Sequence, residues 1–160
     1  MEICRAQKSD IEKLINLRLE YLNSDYGKLK PEQEKEIVSQ LETYFITHID
    51  RDFIAYIAND LHRGIAGAFL VISEKPANPN FITGKTGVIL NVYTRPEYRK
   101  QGIATRLLTE LIREARALNL SYLELSSTRE GEPVYRKLGF KEKELHYKEL
   151  RLNLISENYE

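Results

Sequence analysis

The chain has 160 residues, a length typical of a single domain, and 42% of them are hydrophobic, which is enough to build a buried core. Its 24 basic and 24 acidic residues balance, which argues against a general binder of nucleic acid or of anionic membranes, since such proteins carry a basic excess. Cys4 is the only cysteine, so neither a disulfide framework nor a cysteine-rich zinc site can be built.

The start of the chain gives no sign of export or membrane insertion. Residues 1–5 lack the basic-then-apolar layout of a signal peptide. No stretch of the sequence approaches the ~20 consecutive apolar residues that a membrane span needs. We therefore expect a cytoplasmic protein that does not bind membranes.

The first fifty residues predict one strand and two helices. The strand covers residues 3–6, and Ser9-Asp10 offers the N-cap of a helix whose apolar residues recur with helical spacing as far as Leu22. A second helix begins at Pro31, which suits the first helical position and is followed by acidic residues in the first turns.

The middle of the chain predicts a β-hairpin followed by a long strand. The hairpin strands are residues 53–58 and 65–72, and the turn between them begins at Asn59-Asp60. After a loop rich in Pro, Asn and Gly, residues 87–94 form a strand that is apolar on both faces. Such a strand is expected in the centre of a sheet that is covered on both sides.

The last third of the chain alternates helices and strands. Apolar residues fall on one face of a predicted helix over residues 102–118, and charged residues lie largely opposite. A shorter helix ends at Gly139, which suits the position just after a helix C-terminus. After the long helix, the predicted elements are a strand at 121–126, a helix at 131–138, and strands at 140–147 and 149–154.

These elements predict one mixed α/β domain over residues 1–155, followed by a polar, frayed tail at residues 156–160. The sheet is mainly antiparallel. Its parallel part is the strand-helix-strand unit that runs from residue 87 to residue 126.

The most informative stretch is the turn that joins the strand at 87–94 to the long helix. It reads Arg99-Lys100-Gln101-Gly102-Ile103-Ala104, so a basic turn with one glycine feeds a helix N-terminus. Backbone N–H groups and the helix dipole make such a turn suitable for a phosphate. Gly102 allows close approach of the backbone, and a local basic patch could form from Arg95, Arg99, Lys100 and Arg106. The alternative is a solvated helix start.

Other phosphate and metal motifs do not fit the sequence. A dinucleotide fingerprint needs three glycines in the pattern G-x-G-x-x-G, and only Gly102 is present in this turn. Gly84-Lys85-Thr86 mimics the end of a nucleotide-binding P-loop, but a strand rather than a helix follows it. No metal is expected, because the three histidines have no partner at metal-ligand spacing: His48, His62 and His146.

Two segments around the turn complete a recognisable combination. The strand ends in Asn91-Val92-Tyr93-Thr94-Arg95-Pro96, and the short helix ends in Tyr135-Arg136-Lys137-Leu138-Gly139-Phe140. With the turn, they resemble the GNAT acetyltransferase superfamily over nearly the whole chain. The resemblance implies an α/β (α+β) fold with a mixed, mainly antiparallel sheet of about seven strands. Helices cover both faces, and the central parallel strands, residues 87–94 and 122–126, splay apart.

The resemblance also implies a chemistry, the direct transfer of an acetyl group from acetyl-CoA to an amine without a metal. It places the pantetheine along Val92, Tyr93 and Thr94, like an added strand. It makes the Val92 backbone N–H the donor to the oxyanion, and Tyr135 the general acid to the CoA thiolate and a further cofactor contact. The pyrophosphate would lie on the turn formed by Arg99, Lys100, Gln101, Gly102, Ile103, Ala104 and Thr105.

The acceptor stays open at this point. We expect a primary amine of a small molecule and no nucleic acid partner, because the net charge of zero suits a small acceptor better than a highly basic protein. The acceptors left open are a small amine, an aminoglycoside-like compound, a polyamine, an amino acid, and a protein N-terminus or lysine. Dimers are common in the family, which leaves a homodimer open. Four tyrosines could line the acceptor site or be ordinary half-buried aromatics: Tyr21, Tyr26, Tyr44 and Tyr93.

The general base is not assigned either. A glutamate is common on or near the central strand in the family, whereas this strand offers Asn91, which cannot take a proton at neutral pH. The alternatives are Glu124 on the neighbouring strand, a chain of waters, or a side chain of the first two helices: Glu20, Tyr21 or Tyr44. Without a strand carboxylate, the chain could instead be a non-catalytic acyl-CoA-binding sensor or partner domain. A donor other than acetyl-CoA would depend on the depth of the pocket near Leu90, Val92 and Leu125.

Overall fold

The computed structural model describes residues 1–155, so the frayed tail predicted at residues 156–160 lies outside the described residues. These residues form five strands and four α-helices. The strands are β1 (Glu2–Arg5), β2 (Phe53–Asp60), β3 (Arg63–Glu74), β4 (Lys85–Thr94) and β5 (Leu123–Glu124). The helices are α1 (Ile11–Tyr26), α2 (Pro31–His48), α3 (Ile103–Ala117) and α4 (Glu132–Lys137).

The sheet has the strand order β1-β2-β3-β4-β5. The first three pairs are antiparallel and the last, β4 with β5, is parallel. The mixed, mainly antiparallel sheet is therefore confirmed. β4 and β5 pair at Gly87 with Leu123 and at Val88 with Glu124. β4 then continues to Thr94 while β5 ends, so the two parallel strands part as predicted.

The predicted count of about seven strands is wrong for the described chain, which has five. Residues 149–154 alternate apolar and polar side chains, whereas residues 140–147 do not, and neither segment joins a strand ladder within residues 1–155. Alternation specifies two faces, whereas a strand also needs a partner edge and a surface to cover. The apolar side chains of this segment are exposed instead: Leu145, Tyr147, Leu150, Leu152 and Leu154. The parallel pair consequently lies at the edge of the described sheet and not in its centre.

Helices cover both faces of the sheet, as predicted. α1 and α2 pack on one face over an aromatic cluster in which the rings of Phe45, Phe53 and Phe69 lie 5.1 to 5.8 Å apart. α3 packs on the other face, where Leu107, Leu108 and Leu111 are fully buried. The sheet is thus fixed from both sides, which leaves its β4–β5 edge and the loops around it to form a site.

The hairpin turn lies two residues later than predicted. Asn59 and Asp60 belong to β2, and the turn is formed by Leu61 and His62. Both polar residues have partners that keep them in the strand: Asn59 accepts a hydrogen bond from Lys13 at 3.2 Å, and Asp60 accepts one from the Tyr98 hydroxyl at 2.8 Å. Turn propensity therefore yielded to tertiary contacts here.

The close approach of β4 to its neighbours requires a glycine. A Cβ on Gly87 would lie 2.6 Å from side-chain carbons of both Leu123 and Leu70, which is far inside van der Waals contact. Gly87 is also the first β4 residue paired with β5. This glycine lets the two parallel strands meet at their N-terminal ends before they diverge.

Candidate active site

A β-bulge interrupts β4 at the point where the strand leaves β5. Leu90 pairs with Phe69 and Tyr93 pairs with Gly67, so Asn91 and Val92 together face the single residue between those partners on β3. Asn91 adopts a φ of 54°, a left-handed conformation that asparagine tolerates better than most residues. As a result, Ile89 and Val92, three residues apart, both pack against the cluster beneath α3. The bulge thereby turns the backbone of this segment out of the regular ladder.

Beyond this bulge, the edge of β4 that faces β5 has no strand partner within residues 1–155, although the Thr94 carbonyl accepts a hydrogen bond from the Arg99 side chain. The last pairing between the two strands, within residues 1–155, joins Val88 to Glu124. The predicted pantetheine contacts, Val92, Tyr93 and Thr94, therefore lie on a stretch of strand that has a partner on one side only. Backbone groups on such an edge can pair with an extended ligand.

The predicted phosphate turn is open. Lys100 and Gly102 both have positive φ angles, 61° and 74°, and α3 begins directly afterwards. The hydrogen bond from the Arg106 N–H to the Gly102 carbonyl, 3.2 Å long, begins the helix, so the amides of residues 103–105 precede its bonded ladder. A Cβ placed on Gly102 would meet nothing within 4 Å. The turn can therefore present unpaired N–H groups to an anion.

The basic patch around this turn is smaller than predicted. Arg99 donates through Nε to the Thr94 carbonyl at 3.0 Å, and it lies beside exposed Lys100. Arg95 is not part of the patch, because it is buried and donates to both carboxylate oxygens of Glu20, at 3.0 and 2.7 Å. Burying a charge requires such a partner. The sequence pattern could not reveal that partner, which lies 75 residues away.

Tyr135 lies on α4, near the place where β4 and β5 diverge and opposite the bulge of β4. Its ring packs against the same cluster as Val92 and Leu125, and meets Phe140 edge to face at 6.0 Å. Within residues 1–155 its hydroxyl has no hydrogen-bond partner. Burial, and secondarily the neighbouring Tyr21, raise the pKa of Tyr135. The side chain is thus a neutral phenol whose proton is free to be donated to a ligand.

The side chains considered for the general base have other partners. Both oxygens of Glu20 accept from Arg95, and Glu124 accepts a hydrogen bond from Lys143 at 3.2 Å. Tyr44 stacks on His48 with ring centroids 4.4 Å apart. Of the first-helix candidates, Tyr21 alone lies near Tyr135. No base is assigned by these contacts.

The four tyrosines considered for the acceptor site divide into two groups. Tyr21 and Tyr93 are half-buried beside guanidinium groups, those of Arg18 at 5.6 Å and Arg99 at 6.0 Å from the ring centres. Tyr26 is 75% exposed, and Tyr44 belongs to the margin of the α2 aromatic cluster. The structure therefore brings Tyr21 and Tyr93 to the site region, places exposed Tyr26 near Tyr21 and Arg18, and leaves Tyr44 in the α2 aromatic cluster.

Arg18 is a further candidate residue for the site, and it was not predicted from the sequence. It is half-buried on α1, and its Nη1 lies 3.5 Å from Oδ1 of Asn91 in the bulge. A signal was present in the sequence, because Arg18 stands four residues from both Leu14 and Leu22, on the apolar stripe of the helix. A charged residue inside a buried stripe indicates a specific role.

A shallow depression of about 680 Å³ lies between α1, the β2–β3 turn and the loop before the phosphate turn. Its lining includes Lys13, Asp60, Arg95 and Tyr98, and none of the residues predicted to bind the cofactor. No group of three His, Cys, Asp or Glu side chains within residues 1–155 could hold a metal ion. In the same part of the chain, no helix is both long and apolar enough to cross a membrane.

Comparisons with known proteins bear directly on this site. A model of the acetyltransferase (GNAT) family matches residues 11–140. Among solved structures, a protein from Clostridium acetobutylicum, described as a predicted acetyltransferase with acetyl-CoA, is 30% identical over 94% of this chain and 95% of its own, with a TM-score of 0.81. No curated protein matches the chain.

More distant structures share the fold. A GCN5-related N-acetyltransferase from Ralstonia eutropha is 21% identical, over 93% of this chain and 97% of its own, with a TM-score of 0.75. An aminoglycoside 6'-N-acetyltransferase from Acinetobacter haemolyticus is 18% identical, over 96% of this chain and all of its own, with a TM-score of 0.67.

Proposed function

This chain belongs to the acetyltransferase (GNAT) family, and we propose that it moves the acetyl group of acetyl-CoA directly to a primary amine of a small molecule. One arrangement carries the proposal. A free strand edge at residues 92–94, an open amide turn before α3 and the unpartnered hydroxyl of Tyr135 surround the divergence of β4 and β5. Together they offer a place for an extended chain, a place for a pyrophosphate and a proton donor.

The residues present fit acetyl-CoA. The backbone groups of Val92, Tyr93 and Thr94 would hold the pantetheine, and the turn from residue 99 to residue 105 would hold the pyrophosphate. Arg99 and Lys100 add positive charge beside the turn. When bound, acetyl-CoA supplies an acetyl group activated as a thioester.

The protein's own groups would then act on the carbonyl and on the sulfur. The Val92 N–H, next to the bulge, would donate to the oxygen that becomes negative when a neutral amine attacks the carbonyl carbon. Tyr135 would donate its proton as the carbon–sulfur bond breaks, so that CoA leaves as a thiol. Because no side chain is assigned as the base, the amine proton would leave through water or through a neighbour such as Tyr21.

A thiol-release assay tests this proposal. Purified protein with acetyl-CoA should release free CoA thiol only when an amine from a broad panel is added, and mass spectrometry should show that amine acetylated. If acetyl-CoA binds but no amine in the panel releases thiol, the non-catalytic acyl-CoA sensor becomes the better account. Parallel reactions with propionyl-CoA and succinyl-CoA would show whether acetyl-CoA is the preferred donor.

The pH dependence of the reaction follows from the state of Tyr135. Its folded pKa is raised by burial, so the neutral, proton-donating form persists above the ordinary phenol value of about 10. We expect kcat/KM to rise with pH as the acceptor amine loses its proton, with no fall below about pH 10. A fall between pH 7 and 8 in the pH profile of kcat/KM would contradict the assignment of Tyr135 as the acid.

A further inference from the structure

Arg18 is a half-buried cation without an anion. It donates one long hydrogen bond, 3.5 Å, to Asn91, and its guanidinium lies 5.6 Å from the ring centre of Tyr21. No carboxylate within residues 1–155 forms an ion pair with it. A guanidinium has five N–H donors, so most of its hydrogen-bonding capacity is unused.

Arg95 is a buried arginine whose charge is balanced by a carboxylate of the protein, and it serves as the comparison for Arg18. Its guanidinium meets both oxygens of Glu20 in a bidentate pair. A buried charge without such a partner costs folding free energy, so proteins pair these charges or use them to bind ligands. Arg18 lies on the same helix as Glu20, but it is left without a carboxylate. Burial also lowers the pKa of Arg18, as expected for an uncompensated cation.

The position of Arg18 links it to the reacting atoms. Its contact Asn91 is the residue immediately before Val92, the proposed oxyanion donor. Its neighbour Tyr21 is close enough to Tyr135 to contribute to that residue's raised pKa. The guanidinium therefore lies against the bulge of β4 and beside Tyr21, on the side of the sheet that α1 covers.

Asn91 provides an independent sign that the site is built for negative charge. The residue is only 3% exposed, and its Nδ2 has no hydrogen-bond partner among residues 1–155. The Nδ2 group belongs to the same amide whose oxygen contacts Arg18. A buried N–H donor without a partner thus lies beside a guanidinium without a carboxylate, and both add to the positive potential at one place. Burying these two groups costs folding free energy unless an anion binds there.

We propose that the acceptor amine carries an anionic group, a carboxylate or a phosphate, and that Arg18, positioned by Asn91 and Tyr21, binds this group. The inference rests on the proposed acetyltransferase function and deepens it by naming the class of acceptor. Arginine binds carboxylates and phosphates in the same bidentate manner, so the two sources share one recognition chemistry. Acceptors with several positive charges and no anion are disfavoured, because they would bring like charge to Arg18.

Matched pairs of amines test the inference in the intact protein. An amino acid is compared with its amide, and an amino sugar phosphate with the unphosphorylated amino sugar. The amide is a stringent control, because its amine is less basic and so more of it is in the reactive neutral form. We expect kcat/KM to favour the anionic member of at least one pair by roughly ten- to hundredfold, as for the loss of a charged hydrogen bond. The pair that shows the preference identifies the anionic group.

The preference should depend on Arg18. Arg18→Gln should lose it while binding acetyl-CoA as tightly as the native protein, and Arg18→Lys should keep part of it. Asn91→Asp, which places a carboxylate against Arg18 at a position where aspartate tolerates the backbone, should lose it too. Arg116→Gln removes the same charge from an exposed site at the end of α3 and should change nothing.

The outcomes separate the two proposals. Equal use of charged and neutral amines by the native protein, or an equal loss for all amines in Arg18→Gln, would overturn the anion site and leave the acetyltransferase function standing. If no amine is acetylated, melting temperatures with inorganic phosphate or acetate, measured under saturating CoA so that the phosphate turn is filled, still decide the site. A stabilisation that is lost in Arg18→Gln supports the anion site, and none in the native protein overturns it.

Discussion

Replacing Tyr135 with phenylalanine is expected to lower kcat by roughly a hundredfold or more, the usual contribution of a general acid, while the Kd for acetyl-CoA changes little. The variant keeps the ring that packs against the cluster under α3 and removes only the hydroxyl, which has no partner within residues 1–155. Fold stability should therefore be preserved. Steady-state kinetics and calorimetric binding of acetyl-CoA, measured on the same preparation, separate the two effects.

Tyr56→Phe is the matched control for that substitution. Tyr56 also has a packed ring, but its hydroxyl donates to Glu114 at 2.9 Å, away from the proposed site. Its loss should cost about 1 kcal/mol of unfolding free energy and leave kcat as it is. If Tyr135→Phe turned over acetyl-CoA at the native rate, Tyr135 would be a packing residue and the acid would have to be sought elsewhere.

Glu20→Ala is expected to lower the free energy of unfolding by roughly 3 kcal/mol, because it leaves a buried guanidinium without its partner. Among the described residues, the Arg95 guanidinium forms hydrogen bonds with Glu20 alone. Its third nitrogen, Nη1, is buried and has no hydrogen-bond partner. The pair also holds the end of β4 against α1. Chemical denaturation of the native and variant proteins measures the difference.

A double variant distinguishes a structural pair from a catalytic carboxylate. Glu20→Leu combined with Arg95→Met replaces both charges by apolar groups and should recover most of the lost stability. If the only role of Glu20 is to hold Arg95 in place, the double variant should also recover most of the turnover. A Glu20→Ala protein that is as stable as the native one but inactive would instead identify Glu20 as the missing base.

Local signals predicted the parts of the site that depend on neighbours in the chain. Pro31 and Gly102 mark helix starts through their own backbone requirements, and the structure begins helices at residues 31 and 103. The parallel strand-helix-strand unit followed from the order of the elements. The family resemblance, which rests on the strand end, the turn and the Tyr135 segment, was confirmed by the match over residues 11–140.

Contacts between distant residues could not be predicted in the same way. Arg95 was expected on a basic patch, but its charge is buried against Glu20 on α1. The bulge at Asn91 was not predicted, because one asparagine inside an apolar strand does not by itself indicate a bulge. The two final strands were predicted from local sequence, which cannot show whether a partner edge is available. Each of these features depends on which elements meet in space.

The central claim is that the turn before α3 binds the pyrophosphate of acetyl-CoA, and calorimetric titration with acetyl-CoA tests it most directly. Gly27→Ala is the control for Gly102→Ala, because both glycines have positive φ, 80° and 74°, and open space where a Cβ would stand, but Gly27 lies outside the turn. An alanine should cost about 1 kcal/mol at Gly102, where ψ is 9°, and more at Gly27, where ψ is 177° in a backbone region that is almost exclusive to glycine. We predict saturable binding to the native protein and to Gly27→Ala, and binding weaker by roughly tenfold or more in Gly102→Ala. No binding to the native protein, or equal binding to both variants, would contradict the account.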